Sequence, residues 1–301
     1  MKLWLLDNFF PTFVTMTHKI QIGISTCPND TFAFHALLNN KIDTGDIEFD
    51  FQLLDVEELN ERLIAGEFDV SKASFHAAVY LTEQLAVLSS GSALGFGVGP
   101  LLLAAAGRTD PTQKVVDKDG VSRSPKIACP GKHTTATLLY KIFYSNQGAL
   151  EQMIFSDIMP QLKSATVDFG VCIHEGRFTY REEGLGCVAD LGVLWEEKTG
   201  LPLPLGGILV RKKLGHPLME RIQKLVQASI EYGLANRDET LATMKQYAQE
   251  FSDDVLFAHV DTYVNDWTIE LGELGGQALQ KLLKLTSESE GRTFEPFQIV
   301  R

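Results

Sequence analysis

The chain has 301 residues, 45% of them hydrophobic and 22% charged, the proportions of an ordinary globular protein long enough for two lobes. Its net charge of -12 argues against a general nucleic-acid or anionic-membrane surface, which draws on an excess of lysine and arginine. An anionic small molecule remains admissible, because helix N-termini and a few donors set the potential inside a cleft.

Residues 1–15, MKLWLLDNFFPTFVT, imitate a signal peptide through Lys2 and the LWLL run. Asp7 breaks that run and no small-x-small cleavage site follows, so the expected location is cytoplasmic. Met16 stands just before the first clean strand as an alternative start, and residues 1–16 are expected to lie outside the fold. No later run approaches the length of a membrane span. Ile20, Ile22 and Ile24 alternate with Gln21, Gly23 and Ser25 and predict a strand. Pro28 and Asp30 then suit the first turn of a helix running to about Asn40. A second strand follows over Ile47–Leu53. Asp55 and Glu58 form a capping-box-like pair before a helix closed by Gly66. Phe68–Ser74 reads as a strand entering a polar turn, Phe75–Gln84 as a helix and Leu85–Ser89 as a strand.

The run GSALGFGVGP at Gly91–Pro100 is neither a G-x-G-x-x-G fingerprint nor a P-loop. It reads as a bent loop or, alternatively, a phosphate cradle, before a strand at Leu101–Ala106 that crosses between lobes. Residues 107–125 are a polar loop. A fresh βα series predicts strands at Lys126–Cys129, Glu151–Phe155, Phe169–Ile173 and Cys187–Leu191, with helices at His133–Ser145 and Asp157–Ala165. Pro202–Arg211 reads as a strand crossing back. Helices at Pro217–Ala235, Asp238–Phe251, Asp253–Asn265 and Glu273–Ser287 complete the chain. Two βα series joined by two crossings predict an α/β, two-lobed fold of the type II periplasmic-binding-protein kind with a central cleft. The expected lobes are residues 17–103 plus 206–301 and residues 104–205.

Three polar strand ends supply the candidate site. In VCIHEGRFTY an apolar strand delivers His174 to its end, with Glu175, Gly176, Arg177, Thr179 and Tyr180 following. Strand ends of open α/β sheets are where ligands bind, and a histidine there can move a proton near neutral pH. The other reading is a structural histidine, with Arg177 and Tyr180 either binding an aromatic acid or bracing the turn. In CPGKHTTA, Thr134 or Thr135 can cap the helix or, with Ala136 and the local N–H groups, hold a carboxylate; Lys132 and His133 add charge nearby. In SKAS, Lys72 is either a solvated lysine or an attractor for an anion. In STCPNDTF, Asn29 and Asp30 either line the cleft or cap a helix. Cys27, Cys129, Cys172 and Cys187 form no C-x-x-C pair. They read as small thiols in a reducing compartment, since no local Cys–His signature marks a nucleophile. His35, His76, His216 and His259 fall within or at the starts of helices without such an arrangement, and no spacing suggests a metal.

Six ordered segments, STCPNDTFAFHALL, SKAS, GSALGFGVGP, PGKHTTA, IHEGRFTY and LWEEKTGLPLPLGGILVR, together resemble the 1,4-dihydroxy-6-naphthoate synthases of the futalosine route to menaquinone. The resemblance runs from Ile20 to the C-terminal helices and includes AHVDTYVNDWTIELGE at Ala258–Glu273; the segments before Met16 and around Asp110–Ser124 lie outside it. It implies a lyase that cleaves cyclic dehypoxanthine futalosine to dihydroxynaphthoate and dihydroxyacetone, without metal or organic cofactor. It implies His174 as proton acceptor, and substrate contacts at Lys72, Ala73, Ser74, Thr135 and Ala136. Gly176 departs from the serine expected after the HE pair, so any contact of that hydroxyl is absent. Two other classes compete: a solute-binding protein of the same fold, which calls for an export signal, and a chorismate-dehydrating enzyme, against which IHEGRFTY and PGKHTTA speak. A DNA-binding regulator would need a helix-turn-helix segment, and none is evident. Oligomeric state is not legible.

Overall fold

The computed structural model describes residues 17–117, 119–145, 147–174, 176–248 and 252–301. The early elements are β1 (His18–Ser25), α1 (Pro28–Ala33), α2 (His35–Leu38), β2 (Ile47–Leu54), α3 (Val56–Ala65), β3 (Val70–Ser74), α4 (Phe75–Val79), β4 (Leu85–Leu88) and β5 (Ala93–Gly95). The middle of the chain forms β6 (Leu101–Ala104), a small hairpin β7 (Val115–Val116) and β8 (Ser122–Arg123), β9 (Lys126–Cys129), α5 (Thr135–Tyr144), β10 (Ala149–Gln152), α6 (Phe155–Lys163), β11 (Phe169–Cys172), α7 (Gly176–Thr179), β12 (Gly186–Asp190) and α8 (Leu191–Thr199). The last part is β13 (Leu203–Arg211), α9 (His216–Ala235), α10 (Arg237–Tyr247), α11 (Asp253–Tyr263), α12 (Asp266–Ile269), α13 (Gly272–Glu290) and β14 (Ile299–Val300).

Two sheets organise these elements. The first runs β14-β4-β13-β3-β1-β2, with β5 pairing β13; the second runs β10-β9-β11-β6-β12. β1 lies parallel to β2 and β3, and β13 runs antiparallel between β3 and β4. In the second sheet β9 is parallel to β10 and β11, while β6 is antiparallel to β11 and β12. Parallel strands demand crossover helices, so each sheet is covered and its central strands, such as β3, β9 and β11, are almost wholly buried. Ile20, Ile22 and Ile24 are accordingly buried, and so are Gly23 between them and Ser25 after them. The core of the first sheet packs these isoleucines against Ile222, Val226 and Ile230 of α9.

The structure departs from the sequence expectations at several points. The helix from Pro28 breaks at Phe34. Asp55 does cap α3, accepting the Glu57 N–H at 2.8 Å, but Glu58 pairs with Arg62 instead of closing a capping box. The helix from Phe75 stops at Val79. α6 begins at Phe155, which places Asp157 in its first turn, where a carboxylate suits the helix dipole. Leu191 opens a helix and does not end a strand: Asp190 caps α8 by accepting the Gly192 and Val193 N–H groups. The chain changes sheet between Gly95 and Leu101 and again between Asp190 and Leu203, so the crossings precede β6 and β13. Gln249, Glu250 and Phe251, at the expected end of the third-from-last long helix, lie outside the described residues.

Candidate active site

The turns after β1, β3 and β11 and the N-terminus of α5 open onto one cavity between the sheets. Asn29, Lys72, Ala73, Ser74, Thr134, Thr135, Ala136 and His174 all line it. These positions meet for a simple reason. In βα units, the C-terminal strand ends and the following helix N-termini lie on the same edge of the sheet.

His174 follows β11 with φ of +55°, a left-handed conformation that costs a non-glycine residue about 1–3 kcal/mol. That backbone bend carries the imidazole into the cavity. Its Nδ1 lies 3.4 Å from the Cys27 Sγ, and its ring centroid is 4.7 Å from that of Phe155. Glu175 lies outside the described residues.

Lys72 is buried and is not a solvated surface lysine. Its Nζ donates to Asp30 Oδ1 at 2.7 Å and reaches the Gly91 carbonyl at 3.4 Å. Asp30 also accepts from Ser25 Oγ at 2.5 Å and from Asn29 Nδ2 at 3.0 Å. The Asp30 carboxylate thus balances the lysine charge at the cavity wall. Removing either partner would leave an uncompensated buried charge. Asp30 sits in the first turn of α1, but the helix N-terminus is not its main partner.

At the α5 terminus the two threonines divide their roles. Thr134 is the N-cap: its hydroxyl accepts the Thr137 N–H at 3.2 Å and donates to the Gly131 carbonyl at 2.9 Å. The Thr135 hydroxyl donates to the Leu205 carbonyl at 2.7 Å and accepts the His76 N–H at 3.3 Å. Its proton is therefore committed within the protein. The N–H groups of Thr135 and Ala136, in the first turn of α5, have no intrahelical acceptor, and a helix end of this kind suits an anion electrostatically. Ser74 is fixed from behind: Asn60 Oδ1 accepts its N–H at 2.9 Å, and Asn60 Nδ2 donates to its hydroxyl at 3.2 Å. The hydroxyl proton of Ser74 remains available to the cavity. Gly206 closes this wall, where a Cβ would stand 2.7 Å from the Ala73 carbonyl oxygen.

Glu57 of α3 joins the two sides. It accepts the His133 N–H at 2.9 Å, and its Oε1 lies 3.2 Å from His133 Nδ1. Burial raises the Glu57 carboxyl, but bonds from His133 and Asn60 outweigh this and hold it below the usual carboxylate range. Lys132 is exposed.

Arg177 stands apart from the cavity. Its guanidinium pairs with Asp190 at 2.8 Å and donates to the Gly99 carbonyl at 2.6 Å, so it braces the loop before β6. Tyr180 packs against the apolar cluster that includes Leu101 and Leu103 and accepts a bond from Arg181 at 2.9 Å. Both belong to the bracing reading of that turn.

Sequence reasoning missed Cys27 and His259. No local motif joins either to His174, because the Cys–His relation exists only across the cleft. Cys129 and Cys172 are buried, as expected, whereas Cys187 is exposed. His259 of α11 lines the cavity with its ring 6.1 Å from that of His174 and 16° from parallel. Burial, helped by His174 and Lys72, pushes its imidazole down to about 3. Its spacing with Leu256, Val260 and Tyr263 looks like an ordinary helix core stripe.

Two covered sheets with cavity-facing turns between them define a type II solute-binding fold, here with a histidine in the cleft. The alkanesulfonate-binding protein of Xanthomonas axonopodis pv. citri bound to MOPS has this fold at 14% identity, with a TM-score of 0.64 over 91% of this chain and 94% of that one. A crystal structure of a protein from Archaeoglobus fulgidus, 32% identical, superposes with a TM-score of 0.82 over 91% of this chain and 98% of its own. Residues 20–288 match the family model described as menaquinone biosynthesis. The 1,4-dihydroxy-6-naphthoate synthase of Thermus thermophilus is 40% identical over 91% of this chain and 94% of its own length. The enzyme of the same name from Streptomyces coelicolor is 36% identical over 88% and 91%. The chain belongs to this menaquinone-biosynthesis family of 1,4-dihydroxy-6-naphthoate synthases, and it is an enzyme.

Proposed function

We propose that the chain is a cofactor-independent carbon–carbon lyase that converts cyclic dehypoxanthine futalosine to 1,4-dihydroxy-6-naphthoate and dihydroxyacetone, with His174 as general base. The observation that carries this reading is His174 in a strained backbone conformation, its ring at a cavity walled on another side by the α5 N-terminus. A substrate with a ring carboxylate has a matching anion site in the Thr135 and Ala136 N–H groups and the Ser74 hydroxyl. With that end held, His174 takes a proton from carbon. The electron pair left behind drives cleavage of the spiro-joined frame, and the aromatic product supplies the driving force. A positioned base contributes about 10²–10⁴-fold.

The same reading treats residues 17–103 plus 206–301 and residues 104–205 as two lobes that close over the substrate and exclude water. Lys72, neutralised by Asp30, and Asn29 line the cavity. The proposed location is the cytoplasm. Among the described residues no helix is long and apolar enough to cross a membrane. The test is turnover by purified protein. Cyclic dehypoxanthine futalosine should yield dihydroxynaphthoate and chorismate should be left unchanged; consumption of chorismate alone would sink the proposal.

A further inference from the structure

His259 is 4% exposed, yet among the described residues neither ring nitrogen has a hydrogen-bond partner. Both belong to a residue that lines the cavity. Burying an unsatisfied polar group costs about 1–3 kcal/mol, and native proteins seldom leave one without a reason. The neighbouring face of α11 shows no such cost. Leu256, Val260 and Val264 pack with Phe32 and Met244 in an apolar cluster that does not include His259. Tyr263, one turn on, holds the imidazole by a tilted ring contact at 4.6 Å. A phenylalanine or leucine would fill this place with less strain on polar satisfaction, so the nitrogens themselves call for an explanation.

Resting on the reading above, we infer that His259 is a second catalytic residue. A ring N–H of His259 donates to the substrate carbonyl oxygen that gains negative charge as His174 removes the adjacent proton. The electrons of the broken C–H bond form the C=C bond, the carbonyl π pair moves to oxygen, and the proton resides on His174. His259 transfers nothing; it supplies a hydrogen bond that strengthens as charge develops, as an oxyanion donor does. Two features suit it to this part. Burial, with His174 and Lys72 facing it and adding to the effect, keeps it neutral, one nitrogen a donor and the other an acceptor. Its near-parallel placement 6.1 Å from His174 lets one ring system present a carbon to one imidazole and an oxygen to the other.

The experiment compares wild type, His259→Phe and His259→Gln on cyclic dehypoxanthine futalosine, with melting temperature measured alongside. His259→Phe should melt at or above the wild-type temperature, because a ring without protein hydrogen bonds has none to lose. Its kcat should fall about 10²–10³-fold, the effect of losing one oxyanion donor, with KM within about threefold of wild type. His259→Gln, which restores an N–H donor, should recover at least about tenfold of that loss. Near-wild-type kcat in folded His259→Phe overturns the inference while leaving the reading of the site intact. A large fall in melting temperature for both variants, or misfolding, overturns it in favour of a structural histidine. An inactive wild type removes the reading and the inference together.

Discussion

The Cys27 thiol and the His174 imidazole meet from different sheets, Sγ lying 3.4 Å from Nδ1 and 3.7 Å from Nε2. A thiol at this distance can hydrogen-bond the ring and so bias which tautomer it holds. Cys27→Ala should therefore fold and bind, but move the acidic midpoint of the kcat/KM profile, and Cys27→Ser should move it less. An unchanged profile in Cys27→Ala would remove the thiol from the mechanism.

His174→Gln should fold and lose about 10²-fold or more of its turnover with little change in binding. His174→Gly is the sharper variant. At φ of +55° glycine is unstrained, so this protein should melt within a few degrees of wild type. Added imidazole should restore part of the activity lost. Full activity in either variant without imidazole would exclude a base at this position.

Thr135→Val should act mainly on stability. It removes the donor to the half-buried Leu205 carbonyl and the acceptor of the buried His76 N–H, at a cost of about 1–3 kcal/mol. Thr135→Ser keeps both bonds and should melt near wild type. Chemical denaturation measures the difference. A large rise in KM without loss of stability in the valine variant would return the hydroxyl to the substrate.

Lys72→Met should destabilise the fold strongly, by about 3–5 kcal/mol, because Asp30 is left charged and buried. Adding Asp30→Asn should recover much of that loss, with Ser25 and Asn29 still able to bond the amide. If the double variant is no more stable than Lys72→Met, the ion pair is not what orders this wall.

Stability should fall as pH drops below about 6.5. Burial pushes His259 down to about 3 and His76, with Lys141 adding to the effect, to about 4, against an ordinary 6.5. Between these values the unfolded chain binds more protons than the folded one, so each histidine stabilises the fold above 6.5 and loses that contribution as the pH falls. The slope is up to about 1.4 kcal/mol per pH unit for each ring. Glu57 and Asp168, held low by their partners, add loss in the same direction only in the carboxylate range. Denaturant midpoints from pH 7 to 4 measure this, and His259→Phe should flatten the slope; an identical slope in that variant would contradict the assignment.

Much of the fold was legible because its signals are local. The alternation of Ile20, Ile22 and Ile24, Pro28 opening a helix and Asp55 capping the next each act through neighbours in the chain. The helix opening at Thr134 was legible for the same reason, although the sequence left open whether Thr134 or Thr135 caps it. The short elements were less so. β5, α7 and β14 are only two to four residues long and exist because a neighbouring strand or turn holds them.

By itself, the sequence determined the order of βα units and which turns carry polar side chains, since periodicity and capping are decided within a few residues. It also placed His174 at a strand end. Only the tertiary structure decided which of those groups face one another. The Cys27–His174 contact spans 147 positions, and the Lys72–Asp30 pair spans 42. Such pairs are selected by the packing of two covered sheets, which brought His259 into the cavity and turned Arg177 away from it. Burial then reassigned charge: Lys72 became half of an ion pair and His259 a neutral ring, because a low-dielectric wall penalises any charge left without a partner.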